Sequence, residues 1–259
     1  YDANDTLSQA VAKSFYQGLL GFERGSSRLE PELATGWQVS ADARTFTFQL
    51  RPGVKFHDGS ELNADSVVWN VRKVLDKDAV HFDASQVGVT ASRMPTLRSA
   101  RKIDNLTVEL TTSEPDAFLP LNLTNLFIAS PAHWQKKFDA AAGATPADKA
   151  KAAWTAFAAD ASGSGPFKMA RFVARERLEL VPNKAYWDPK RTPKVDRVVL
   201  LPMPEANART AAIMSGQVDW IEAPSPDAMA AIQGRGHKIY FNQQPHVWPW
   251  QPPFAEGPP

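Results

Sequence analysis

Five histidines, His57, His81, His133, His237 and His246, are the residues of this 259-residue chain best suited to proton transfer or metal binding near neutral pH. None lies three or four residues from another, so no helix face carries a pair, and the HExxH spacing of a zinc hydrolase is absent. Only His57 is followed directly by a carboxylate, Asp58. Cysteine is missing altogether, which removes thiolate nucleophiles, thiolate metal sites and disulfides together and suits a reducing or an oxidising compartment equally. There is no G-x-S-x-G elbow, no G-x-x-x-x-G-K-[ST] loop and no G-x-G-x-x-G after a strand. "GSGPF" at 163–167 comes nearest to a glycine-rich anion loop, but its Gly-Pro step favours a tight turn. These residues point away from catalysis and metal binding and towards non-covalent recognition.

The elements around His57 give it a structural task. In "LRPGVKFHDGSELNADSVVW" (50–69), Pro52 presets φ for the first central position of a turn and Gly53 accepts the positive φ of the second. Asp58-Gly59 repeats that chemistry one short strand later, and Asn63 offers a side-chain oxygen to the N–H groups of a helix starting at Ala64. Valines at 67, 68, 71 and 74 with Leu75 predict that helix over 64–75. "TFTFQL" (45–50) and "LTVELT" (106–111) alternate as half-buried strands. An apolar stripe, Leu7, Ala10, Val11, Phe15 and Leu19, predicts an opening helix capped by Asn4 or Asp5. "PADKAKAAWTAFAAD" (146–160) predicts a helix with Trp154 and Phe157 inward, "EANARTAAIMSGQ" another, and "RLELVP", "RVVLLP" and "KIYFN" predict strands. Interleaved helices and strands imply an α/β fold.

Composition narrows the function classes. With 29 Lys+Arg against 28 Asp+Glu the net charge is +1, which gives no electrostatic footprint for nucleic acid. No apolar run approaches the ~18 residues of a membrane span. Tyr1 carries neither an initiator methionine nor a signal segment, so the chain reads as processed or cut. The closing "QQPHVWPWQPPFAEGPP" (243–259) is too proline-rich for a helix and predicts an extended segment whose aromatic residues pack on something.

The stretch "PELATGWQVSADARTFTFQLRPGVKFHDGSELNADSVVWNV" resembles the signature of the family 5 extracytoplasmic solute-binding proteins, which bind peptides, nickel or glutathione for ABC importers. Leu33, Ala34 and Trp37, then Leu50 through Gly59, then Ala64 follow the family pattern in order, with Asp65-Ser66-Val67 where the family has A-x-D-V. "GSGPFKM", "LVPNKAYWDP" and "ARTAAIMSGQVDWI" resemble further family landmarks, so the likeness covers nearly the whole chain. The opening resembles the glutathione-binding branch, whereas "PHVWPWQ" does not follow it.

The resemblance implies an incomplete, mixed-sheet α/β lobe of a two-lobe periplasmic binding protein (type II-like). Residues 1–242 would form the first lobe without its first strand, and 243–259 would be a crossover towards a second lobe. It implies a non-enzymatic component that captures a small peptide or peptide-like solute, without a cofactor, and delivers it to the membrane permease of an ABC importer. The protein would be periplasmic or lipid-anchored outside the cytoplasmic membrane, and monomeric when full length. An interaction module outside transport, or an enzyme on the same scaffold, is the alternative. His57-Asp58-Gly59 would be a corner of the fold. Solute-facing residues by family position would be Asp2, Asn4, Asp5 and Thr6, then Ser130, then Ser164 and Gly165, and finally His246, Trp248 and Trp250. The bland alternatives are helix capping for Asn4 to Thr6 and for Ser130, a turn for Ser164 and Gly165, and hinge packing for the tryptophans.

Overall fold

The apolar stripe at the start of the chain folds as a shorter helix than its spacing predicts. In the computed structural model, which describes residues 6–241, α1 spans Thr6–Ala12 and ends in tight turns through Ser14, Phe15 and Tyr16. Phe15 and Leu19 still reach the core, but along a non-helical path. Gln17 pairs with Ile128 in an isolated antiparallel bridge, and β1 (Leu20–Phe22) pairs with β2 (Leu29–Pro31). Pairing with distant segments overrides a weak local helix preference here.

The chain divides into two units, residues 1–201 and 202–259. In the first, β3 (Ala34–Val39), β4 (Thr45–Leu50), β5 (Leu97–Asp104) and β6 (Thr107–Thr112) form a sheet in the order β3-β4-β6-β5. All pairings among the described residues are antiparallel. The alternation in β4 puts Phe46, Phe48 and Leu50 into the core, where α2 (Ala64–Leu75) covers the sheet with Val67, Val71 and Val74. Asn63 caps α2 in a reciprocal capping box with Ser66, so the sequence-predicted boundaries hold. Gly53 and Gly59 adopt φ +74° and +87°, as the two turns require.

Leu119 of α3 (Leu119–Asn122) joins this first core, whereas a second core lies beneath α4 (Pro131–Ala140), α5 (Pro146–Ala159) and the sheet β7-β8-β9 (Phe167–Val173, Arg177–Pro182, Val198–Leu200). Trp134 and Phe157 are fully buried there, and Trp154 is half-buried beside them. Thr145 and Asp148 form a capping box at the start of α5.

The second unit holds α6 (Ala206–Met214) and α7 (Met229–Gly234). Arg209 gathers its loops by donating to the carbonyls of Met203, Pro204, Glu222 and Ala223. The described part of "KIYFN", residues 238–241, forms no strand, contrary to the alternation of its residues, and "VDWI" is likewise irregular. Neither finds a ladder partner among the described residues, and a lone strand has no hydrogen bonds to hold it. Trp220 and Tyr240 instead stack on each other, centroids 6.2 Å apart.

Candidate functional site

Three of the motifs, the His57 corner, "GSGPF" and "PNKAYW", far apart in sequence, meet at one junction in the first unit. Its first centre is the His57 corner. His57 Nε2 donates to the Gly165 carbonyl at 3.0 Å, and its Nδ1 accepts from the Gly163 N–H at 3.3 Å. One nitrogen gives and the other receives, which is the pattern of a neutral imidazole. Burial agrees, pushing the His57 pKa down to about 4. Asp58 accepts from three serine hydroxyls: Ser60 at 2.8 Å and Ser162 at 3.2 Å on Oδ1, and Ser130 at 3.1 Å on Oδ2. Ser130 in turn accepts from the His133 N–H and so caps α4.

Gln17 is the second centre. Its amide donates to Glu32 (3.1 Å) and to the Tyr186 hydroxyl (3.0 Å), while its oxygen accepts from Ser164 (3.2 Å) and the Trp187 indole (2.9 Å). Three segments, at Glu32, Ser164 and Tyr186–Trp187, are thereby locked to one side chain. Burial raises the Glu32 pKa against the opposing bonds from Gln17 and the Gly18 N–H, and burial followed by the Glu32 charge pushes Tyr186 up to about 12. Gly163 and Gly165 lie flush against the opening segment: a Cβ at Gly163 would stand 2.1 Å from the Phe15 carbonyl oxygen, and one at Gly165 2.8 Å from the Phe15 backbone. The Gly-Ser-Gly turn serves this close approach.

Asn70 holds the neighbouring loop. Its side chain donates to the Ala129 carbonyl and accepts from the Ala129 N–H, 2.9 and 3.0 Å, as a strand partner would, and also accepts from Lys73. Lys73 is buried, and burial depresses its pKa to about 7 despite Asp83 nearby.

Beside this frame, α1 and the loops at 86–93 and 125–127 enclose a hollow lined by Gln9, Gln86, Val89, Thr90, Arg93, Asn125 and Phe127. The exposed Arg93 donates to Asn125 at 2.6 Å and to Gln9 at 3.4 Å. The hollow has room for about one water, so this guanidinium, flanked by carboxamides on an apolar wall, offers its donors to a single carboxylate or carbonyl group at the mouth and does not enclose a whole small molecule. It lacks a paired nucleophile and base.

Among the sequence-predicted site residues, Ser130, Ser164 and Gly165 belong to the junction, with both serine side chains buried. Thr6 begins α1, next to the hollow's Gln9. Asp2, Asn4, Asp5, His246, Trp248 and Trp250 lie outside the described residues. Sequence reasoning missed Gln17 and Arg93. Gln17 carried a signal, as the one side-chain amide within the apolar run "FYQGLL"; Arg93 carried none.

The model of the bacterial extracellular solute-binding proteins, family 5 Middle, matches residues 28–251. The chain belongs to this family. It is 31% identical over 249 residues to the glutathione-binding protein GsiB of Escherichia coli O1:K1 / APEC, an alignment covering 95% of this chain and 44% of that protein. Among solved structures it resembles DppA of Helicobacter pylori in complex with the peptide STSA (TM-score 0.74, 24% identity, 89% of this chain and 45% of that one). NikA of Brucella suis in complex with Fe(III)-EDTA is also similar in fold (TM-score 0.68, 22% identity, 91% and 43%). The chain thus spans less than half the length of these relatives.

Proposed function

We propose that this chain is most of one lobe of a two-lobe extracytoplasmic binding protein that captures a peptide or peptide-like solute and delivers it to the permease of an ABC importer. Family membership supports binding and import, and the exposed Arg93 at the mouth of the hollow carries the choice of solute class. Arg93, held by Gln9 and Asn125 with Phe127 alongside, complements a solute that has a carboxylate and amide groups. On this reading Ser130, Ser164 and Gly165 shape the loops around the solute, because their polar groups already serve the junction. Thr6 and, outside the described residues, Asp2, Asn4, Asp5, His246, Trp248 and Trp250 supply further walls of the cleft. Residues 1–242 and 243–259 are then lobe and crossover, the protein works outside the cytoplasmic membrane as a monomer, and no catalytic step is involved. No described helix is long and apolar enough to cross a membrane.

Titrating reduced glutathione and short peptides into the two-lobe protein tests this reading through tryptophan emission. A saturable response that weakens at least about tenfold in Arg93→Ala, as loss of a charged hydrogen-bonding partner implies, is expected. Equal affinity in the wild type and Arg93→Ala would remove the hollow from the site.

A further inference from the structure

The sheet β7-β8-β9 has one face in the core and one outside, and the outer face carries a concentration of positive charge absent from the chain as a whole. Along β8, Leu178 and Leu180 turn to the core cluster while Arg177, Glu179 and Val181 point the other way. Arg171 lies opposite Glu179 on β7, and Arg197 precedes β9. These three arginines surround the one recessed carboxylate: Glu179 is 10% exposed in its side chain, against 56% for Arg171 and 63% for Arg197. Their distances to it, 4.0 Å from Arg171, 3.4 Å from Arg177 and 3.3 Å from Arg197, are long beside the ~2.8 Å of a direct guanidinium–carboxylate bond. Glu179 balances one charge, and the guanidinium groups keep N–H donors for a second acceptor. The same face continues into an open hollow where Lys168 and Lys184 stand with Asp196 over Val181 and Pro182. Lys168 donates its ammonium to the His57 carbonyl at 3.2 Å, so the other four cations, Arg171, Arg177, Arg197 and Lys184, face two carboxylates in a chain whose net charge is +1.

We propose that this face docks an acidic surface of a protein partner. Charge complementarity selects the partner: guanidinium groups spread across a sheet match carboxylate side chains two-pronged, and the Val181–Pro182 floor receives an apolar contact between them. The recessed Glu179 spaces the arginines and prevents their mutual repulsion from dispersing them. In the import system proposed above, the partner is the permease; that identification alone rests on the proposed function, whereas the acidic docking surface does not.

The test uses hexaglutamate as probe, titrated into the intact chain while the side-chain Nε–H resonances of Arg171, Arg177 and Arg197 are followed. Saturable shifts at these three arginines, weakening with added salt and at least about tenfold weaker in the Arg171→Gln/Arg197→Gln double variant, are expected. Both positions are exposed, and an unchanged melting temperature shows that the double variant is folded. Three outcomes overturn the proposal: no shift, equal shifts with inorganic phosphate at the same concentration, or binding to phosphatidylglycerol vesicles without binding to hexaglutamate. Solute titration of the two-lobe form of the same double variant separates the two claims. Solute binding that persists while hexaglutamate binding is lost supports the docking face, and a joint loss contradicts a face separate from the solute site. Failure of the wild type to bind any solute would remove the proposed function while the hexaglutamate result stood.

Discussion

His57 stays neutral because its ring has one donor and one acceptor contact to satisfy, and protonation would set a second N–H against the Gly163 N–H. Its pKa is about 4 in the fold, and burial takes His81, stacked on Trp69, to about 4 as well. Both values lie below the ~6.5 of an unfolded histidine, so the unfolded chain binds more protons between these limits. Stability contributed by the neutral rings is therefore present above pH ~6.5 and lost as pH falls towards 4. Urea midpoints of the wild type should drop over this window, and the stability advantage of wild type over His57→Gln should shrink with them; a pH-independent difference between the two proteins would contradict a neutral His57. Asp58→Asn replaces an acceptor of three hydroxyl bonds by a group with one acceptor oxygen. It should cost ~1–3 kcal/mol of stability without changing solute preference, and intact melting with abolished binding would make the corner a site instead.

Among the elements, the Gly-Ser-Gly turn and Asn70 hold the junction together, and each gives a sharp expectation. Gly163→Ala has no room beside the Phe15 carbonyl and should lower the melting temperature severely, by the several kcal/mol that a backbone displacement implies. Gly36→Ala, in β3 with nothing within 4 Å of the added methyl, should change stability by less than ~1 kcal/mol. Thermal melts of the pair check this, and equal effects would deny the turn its packing role. Asn70→Ala should cost ~2–4 kcal/mol by leaving the buried Ala129 N–H and C=O unpaired. The same elements show what was legible in the sequence. The bounds of α2 and α5 could be read because a cap residue and a regular apolar spacing agree locally at each. The opening helix is shorter than its spacing predicts because Phe15 and Leu19 keep helical spacing while Gln17, between them, pairs with Ile128, more than a hundred residues away. Gln17 was missed for the same reason: Ser164, Tyr186 and Trp187 approach it only in the fold.

At the scale of the whole molecule, the family could be read from the order of motifs whose residues meet at the junction, whereas Arg93 and its hollow depend on loops with no fixed pattern. The second unit leaves Trp220, Tyr240 and Phe241 66%, 72% and 77% exposed, and "KIYFN" without a ladder partner among the described residues. Exposed apolar clusters promote association. The isolated chain should bind an environment-sensitive dye and self-associate in sedimentation, with both reduced in Trp220→Ser/Phe241→Ser; a dye-silent monomer would contradict this. The central claim is that the protein binds a peptide-like solute, and native mass spectrometry of the two-lobe protein purified without denaturation tests it most directly. A bound species of small-peptide mass, displaced by added peptide and diminished in Arg93→Ala, is the predicted result; a protein that stays free of adduct when glutathione and short peptides are supplied would contradict it.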